Sequence, residues 1–163
     1  MADDNLKQLI AQGLTALKAG SEVARVATQE IQDDATNPEL KRALEQGTQQ
    51  SQEWAARIDR ALEEAGGPQG PDNNPILEAH YQVSQRIRAQ APDENVRDLG
   101  IVAAGQLAIH YWIASFGTIR NYAEKLGMER IDREFRQSAE EAKQADEQHN
   151  RIAEQLLRQP EMA

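Results

Sequence analysis

The chain has 163 residues, 27 acidic and 18 basic side chains, a formal net charge of −9, and no cysteine. That length suits a single domain, 1–163. The missing thiols exclude disulfides, iron–sulfur clusters and thiolate zinc sites. The acidic balance, with no basic run, argues against a nucleic-acid partner. No stretch of 18 uninterrupted apolar residues occurs, so no membrane span is expected. The acidic start MADDNLKQ lacks the basic and apolar regions of a secretory leader. Together with the absent cysteines, it predicts a cytoplasmic protein.

Five helices follow from caps and spacing. The first, over about 4–32, takes Asp3 or Asp4 as its cap and carries an apolar or small stripe Ile10, Leu14, Leu17, Ser21, Ala24, Thr28, Ile31. Asn37-Pro38 opens the second, over 38–65, as N-cap and first-turn proline; Gly66-Gly67 closes it. Its stripe is Leu40, Leu44, Gly47, Ser51, Trp54, Ile58, Leu62, with Gln50 alongside. After the connection AGGPQGPDNNP, Asn74-Pro75 opens a short helix over 75–90, with Ile76, His80, Val83 and Ile87 on one side.

Pro92-Asp93 starts the fourth helix, 93–126. Its stripe Val102, Gly105, Ile109, Trp112, Phe116, Ile119, Ala123 is the strongest in the chain. Leu99, Ala103 and Ile113 lie beside it, so a wide buried arc is expected. Gly127 ends it, and the fifth helix spans 129–158 with Ile131, Phe135, Ser138, Ala142, Ala145, His149, Ile152 and Leu156 inward. Strand periodicity is absent, so the fold is all-α. Two long hairpins joined by a connection holding a short helix form a ferritin-like up-and-down four-helix bundle, with the short fifth helix in the crossover.

The fourth and fifth helices carry a family resemblance. Ile101-Val102-Ala103-Ala104, His110-Tyr111, Ile113-Ala114-Ser115, Gly117-Thr118 and Ala123-Glu124-Lys125-Leu126-Gly127 resemble the YciE/YciF family of small ferritin-like stress proteins. The likeness extends more weakly to Glu140-Glu141, to Lys143 through Asp146, and to Arg57-Ile58-Asp59. It implies a bundle that often pairs into dimers, and relatives that resemble carboxylate-bridged di-metal proteins.

A di-metal centre needs inward Glu and His from all four long helices. This sequence departs from that pattern on each of them. The first helix offers Ser21, with Glu22 turned off the stripe; the second offers Gly47, Gln50 and Trp54 within GTQQSQEW, flanked by Gln49 and Gln52. In the fourth, Ile109 and Trp112 stand where the resemblance implies Glu, and in the fifth Ala142 stands at an acidic position. A metal-free centre filled by apolar side chains is therefore expected, because carboxylates buried without a cation are costly. Two tryptophans should close it, with Gly47 and Gly105 giving them room.

Asp146 and His149, at i and i+3, are the remaining candidate metal ligands. His110 is expected to bond a neighbouring helix or face a partner, His80 to pack, and Tyr111, Ile113 and Tyr122 to flank a homodimer contact. No triad or phosphate loop is present. The expected function is non-enzymatic association without a cofactor, in a stress response. The alternative is an iron or manganese pair with oxidase- or catalase-like activity. A small-ligand pocket ranks last.

Overall fold

The computed structural model describes residues 1–158. It contains α1 (Ala2–Asp34), α2 (Pro38–Glu64), α3 (Pro75–Gln90), α4 (Glu94–Lys125) and α5 (Glu129–Arg158). Each start from α2 to α4 is a side-chain cap. Asn37 accepts from the backbone N–H groups of Glu39 and Leu40 at 2.9 and 3.1 Å. Asn74 accepts from Leu77 at 3.0 Å and Asp93 from Val96 at 2.8 Å. These bonds satisfy amides that have no partner within the first turn. The start of α1 differs from expectation: the helix begins at Ala2 without a side-chain cap, and Asp3 and Asp4 sit inside its first turn, where they favour the helix dipole. Gly127, at φ +67°, ends α4. It lets the Met128 N–H reach back to the Ala123 carbonyl at 2.9 Å.

The four long helices form a ring in which α1 neighbours α2 and α4, and α5 neighbours the same two. Contacts between sequence positions give the directions. Arg57 and Arg60 on α2 reach Glu141 and Glu134 on α5. Gly13 on α1 meets Ile119 on α4, whereas Asp98 reaches Thr36 beyond the other end of α1. Every neighbouring pair is antiparallel, so α2 and α4 run the same way. The connection between them must climb the bundle, and α3 makes that climb across α1 and α4.

The climb is tied down at each stage. The Gln69 N–H donates to Thr15 Oγ1 at 2.9 Å. Buried Asn74 donates to the Ala16 carbonyl and the Tyr111 hydroxyl at 2.9 and 2.7 Å. Gly20 leaves space for it: a Cβ there would stand 2.6 Å from Asn74 Nδ2. Higher up, buried Arg88 pairs with Asp34 and Glu30, and Tyr81 donates to Glu30. Asp98 of α4, 1% exposed, accepts from Thr36 N, Thr36 Oγ1 and Asn37 N at 2.7–2.9 Å. It pins the α1–α2 turn to α4.

The core is in two parts. The larger gathers Ile10, Leu14, Trp54, Ile58, Trp112, Phe116, Ile131 and Phe135. The smaller, at the α1–α2 turn end, holds Ala35, Leu40, Ala43, Leu44, Ile101, Val102, Ile152 and Leu156. Two expected faces differ. On α3 the Ile76–Val83–Ile87 side is the exposed one, and Leu77, Ser84 and Arg88 are buried. On α4, Ala103 is exposed and Leu99 and Ile113 only half-buried, so the buried arc is narrower than the apolar pattern suggests.

Candidate functional site

The middle of the bundle carries an aromatic cluster. Trp54 and Trp112 are buried, with ring centroids 6.1 Å apart. Phe116 lies 5.1 Å from Trp54 and 5.5 Å from Trp112, and Phe135 stands 5.6 Å beyond it. These spacings are those of favourable aromatic pairs. The two indoles do share a height inside the bundle, and Ala142 beside them is fully buried.

The centre is nevertheless not filled. Between the two core clusters lies a cavity of about 650 Å³, bordered by all five helices. Trp54, Trp112 and half-buried Ile109 form part of its wall, together with small residues such as Ala27, Ala104 and Ala108. The indoles therefore do not close it. Gly47 gives them no room either: a Cβ there would meet nothing within 4 Å, because it borders the void. Gly105 makes space for His149, whose Nε2 would lie 2.9 Å from a Cβ. Ser21 is not at the centre; it bonds the Leu17 carbonyl in its own helix and lines a separate groove between α1 and α2.

One carboxylate does reach the centre, and it is Glu141, which the stripe analysis passed over. Arg57 of α2 holds it with two nitrogens, at 2.6 and 3.1 Å. The Trp54 indole N–H and the Gln50 amide donate to the same carboxylate at 2.8 and 2.9 Å, and Gln137 at 2.9 Å. Arg57 also donates to Ser138 at 2.9 Å. The side chains of Arg57 and Glu141 are 9% and 17% exposed. Burial pushes the Glu141 pKa up; the bonds from Arg57, Trp54 and Gln137 and the Arg57 charge outweigh it and hold the group below its ordinary value. A guanidinium thus neutralises the carboxylate where a cation would otherwise be needed. Gln50 belongs to this polar lining, whereas Gln49 and Gln52 are exposed.

Asp146 and His149 do not converge. Asp146 faces His110 of α4, whose Nε2 lies 3.2 Å away, and it also accepts from Gln106. His110 itself is largely exposed and bonds across to its neighbour helix. Buried His149 turns its Nδ1 to the Ala145 carbonyl at 2.9 Å. Burial lowers its pKa, against the Ala145 bond and the Asp146 charge. It is therefore neutral at pH 7 with its proton on Nδ1, because a carbonyl can only accept. His80 bonds the Ala104 carbonyl at 2.9 Å. Half-buried Tyr111 packs edge-on against Trp112 and bonds Asn74, which ties it into the fold. Tyr122 and Ile113 likewise pack against the larger core cluster. Among the described residues, no three His, Asp or Glu side chains come together to hold a metal ion. The donors at the centre do not match what a carboxylate-bridged metal pair requires.

The antiparallel ring and crossover define a ferritin-like helical bundle of the YciE/YciF type. The chain belongs to the family described as "Domain of unknown function (DUF892)", which it matches over residues 4–161. It is similar to protein YciF of Escherichia coli (strain K12), 26% identical over 112 residues, 68% of each chain. The solved structure of the E. coli stress protein YciF superposes with a TM-score of 0.89 at 20% identity, covering 95% of this chain and 98% of that one. YcfI of Rhodopseudomonas palustris, described as a candidate structural protein, gives 0.83 at 27% identity, covering 89% and 92%.

Proposed function

We propose that this chain is a non-enzymatic, metal-free member of its family that acts by association, with a second copy of itself as its first partner. The observation that carries the metal-free reading is the Arg57–Glu141 pair: the central carboxylate already has its counter-charge, two further hydrogen bonds and an indole N–H. A cation arriving there would have to displace a guanidinium. Elemental analysis after expression with iron and manganese both supplied tests this. The expected result is substoichiometric metal after dialysis; two metals per chain would overturn it.

The association surface is the outer face of α3 and α4. From Leu99 to Ile119, α4 carries no Asp, Glu, Lys or Arg. It is the one helix among the described residues apolar and long enough to cross a membrane by composition, yet it packs here against α1, α3 and α5. Leu107 on α4 is 63% exposed, and Ile76 and Val83 on the neighbouring α3 are 65% and 44% exposed. The close approach of Ile87 to Gly100, and the His80–Ala104 bond, place these side chains along one seam. A largely apolar seam, bordered by the exposed Arg86, on a chain of net charge −9 suits a two-fold contact, since it brings few like charges together. Leu107→Glu should yield monomer by light scattering with unchanged helicity, where the wild type is dimeric. A wild type that stays monomeric overturns this surface. A stress role, the word by which the E. coli protein is described, and a cytoplasmic location complete the proposal.

A further inference from the structure

The central cavity has features that neither a filled core nor a metal site explains. Its volume, about 650 Å³, falls within the range of small-molecule sites rather than packing defects. Its walls combine alanine, glycine and branched aliphatics over an indole floor with a glutamine-rich side formed by Gln46, Gln50, Gln144 and Gln148. Two polar atoms there lack partners. Ser84 Oγ is buried and makes no hydrogen bond. His149 Nε2 carries a lone pair, because the ring's proton is committed to the Ala145 carbonyl. Both stand at one level of α4. His149 lies against Gly105, and Ser84 sits between His80, which bonds Ala104, and Ile87, which touches Gly100. An orphaned buried hydroxyl is costly and calls for a partner.

The charge balance narrows the chemistry. Two carboxylates border the cavity: Glu141 is compensated by Arg57, and the exposed Glu53 also pairs with Arg57, at 3.5 Å. The mouth, between α2 and α5, is flanked by Gln46 and Gln148, which bond each other at 3.1 Å, with Gln49 and Arg151 beside them. An ion passing the exposed Arg151 into the interior would lose its hydration, and the buried guanidinium there, Arg57, is already paired with Glu141. We infer that the bundle cavity binds a neutral, mainly apolar ring compound bearing a hydroxyl group. Its O–H donates to His149 Nε2, its oxygen side accepts from Ser84, and its ring lies over Trp54 and Trp112. This site is independent of the association surface on α3 and α4.

The two tryptophans, the only ones in the chain, report on the site directly. Titration of the full chain with 2-naphthol, naphthalene and 2-naphthoate, followed by calorimetry and by tryptophan quenching, tests the inference. Naphthol should bind, naphthalene should bind about fivefold or more weakly because it makes neither of the two buried hydrogen bonds, and naphthoate should not bind. Gly47→Leu starts a side chain from a Cβ that meets nothing within 4 Å at the cavity wall; it should raise the melting temperature and weaken naphthol at least about tenfold, as expected when a cavity is filled. Ser84→Ala should leave the fold intact and reduce the preference for naphthol over naphthalene, the remainder being carried by His149. Equal binding of naphthol and naphthalene to the wild type, preferred binding of naphthoate, or naphthol affinity unchanged in Gly47→Leu would overturn the proposal. So would the absence of any binding.

Discussion

At the scale of single residues, the pair Arg57–Glu141 ties α2 to α5, and its energetics are asymmetric. Removing one partner leaves a mostly buried charge without compensation, whereas removing both leaves a gap but no charge. Arg57→Met alone should lower unfolding free energy by about 2–4 kcal/mol, reduced from a fully buried case by the residual exposure of Glu141. The double variant Arg57→Met with Glu141→Met should cost less than the sum of the singles, as a urea double-mutant cycle would show. Additive losses would mean that the pair contributes no coupling. The same residues set a pH response. His149 has a lowered folded pKa, so its contribution is complete above its ordinary 6.5 and is lost as pH falls through the lower folded value. Glu141, also lowered, contributes fully above 4.5 and loses its part as pH falls through its own folded value. Acid should therefore weaken the protein in two stages. His149→Gln should flatten the upper stage alone, measurable as melting temperature against pH.

Within helices, glycine positions separate void from contact. Gly47 and Gly117 lie inside α2 and α4 and a Cβ at either would touch nothing within 4 Å. Gly47→Ala and Gly117→Ala should each stabilise by about 0.5–1 kcal/mol through helix propensity and unfolded-chain entropy. Gly105→Ala would press a methyl to 2.9 Å from His149 and should destabilise. Thermal unfolding of the three variants decides, and a stabilising Gly105→Ala would mean His149 yields easily. The elements themselves were legible in the sequence because their ends are written in local chemistry: Asn37-Pro38, Asn74-Pro75, Asp93 and Gly127 act where they stand. The burial of Trp54 and Trp112 was legible from periodicity for the same reason. Glu141, Asp98 and Ser84 were not. Charged or hydroxyl side chains on amphipathic helices read as solvated, and only the neighbouring helix supplies Arg57 to the first and the Thr36–Asn37 turn to the second. The cavity was missed because it is a difference in volume among five helices. The apolar letters at Ile109 and Trp112 say that a wall is greasy, not that it meets its opposite.

For the whole molecule, the cavity divides what holds the bundle together. Below it the aromatic cluster joins all four long helices through large rings and fully buried aliphatics such as Ile10, Leu14 and Ile131. Above it the smaller cluster depends on eight side chains, two of them alanine, and on the polar clamps of Asp98 and Arg88. Local opening follows the local density of buried apolar contacts. The turn end should therefore open as a unit below the global unfolding free energy, while the aromatic end should open only with the whole protein. Native-state hydrogen exchange tests this amide by amide. Protection near Leu40–Leu44, Ile101–Ala104 and Ile152–Leu156 should fall below that near Trp54–Leu62, Trp112–Ala123 and Phe135–Ala142. Leu40 and Leu156 stand in terminal turns, so the decisive comparison is Ile101–Ala104 against Trp112–Ile119, both inside α4, where fraying cannot mimic it. Filling the void should couple the halves: in Gly47→Leu the added side chain extends the contact from Trp54 towards Leu44, and the two groups of amides should approach one exchange free energy. Uniform protection in the wild type would show that the Asp98 and Arg88 clamps make the bundle a single cooperative unit despite the gap in its core.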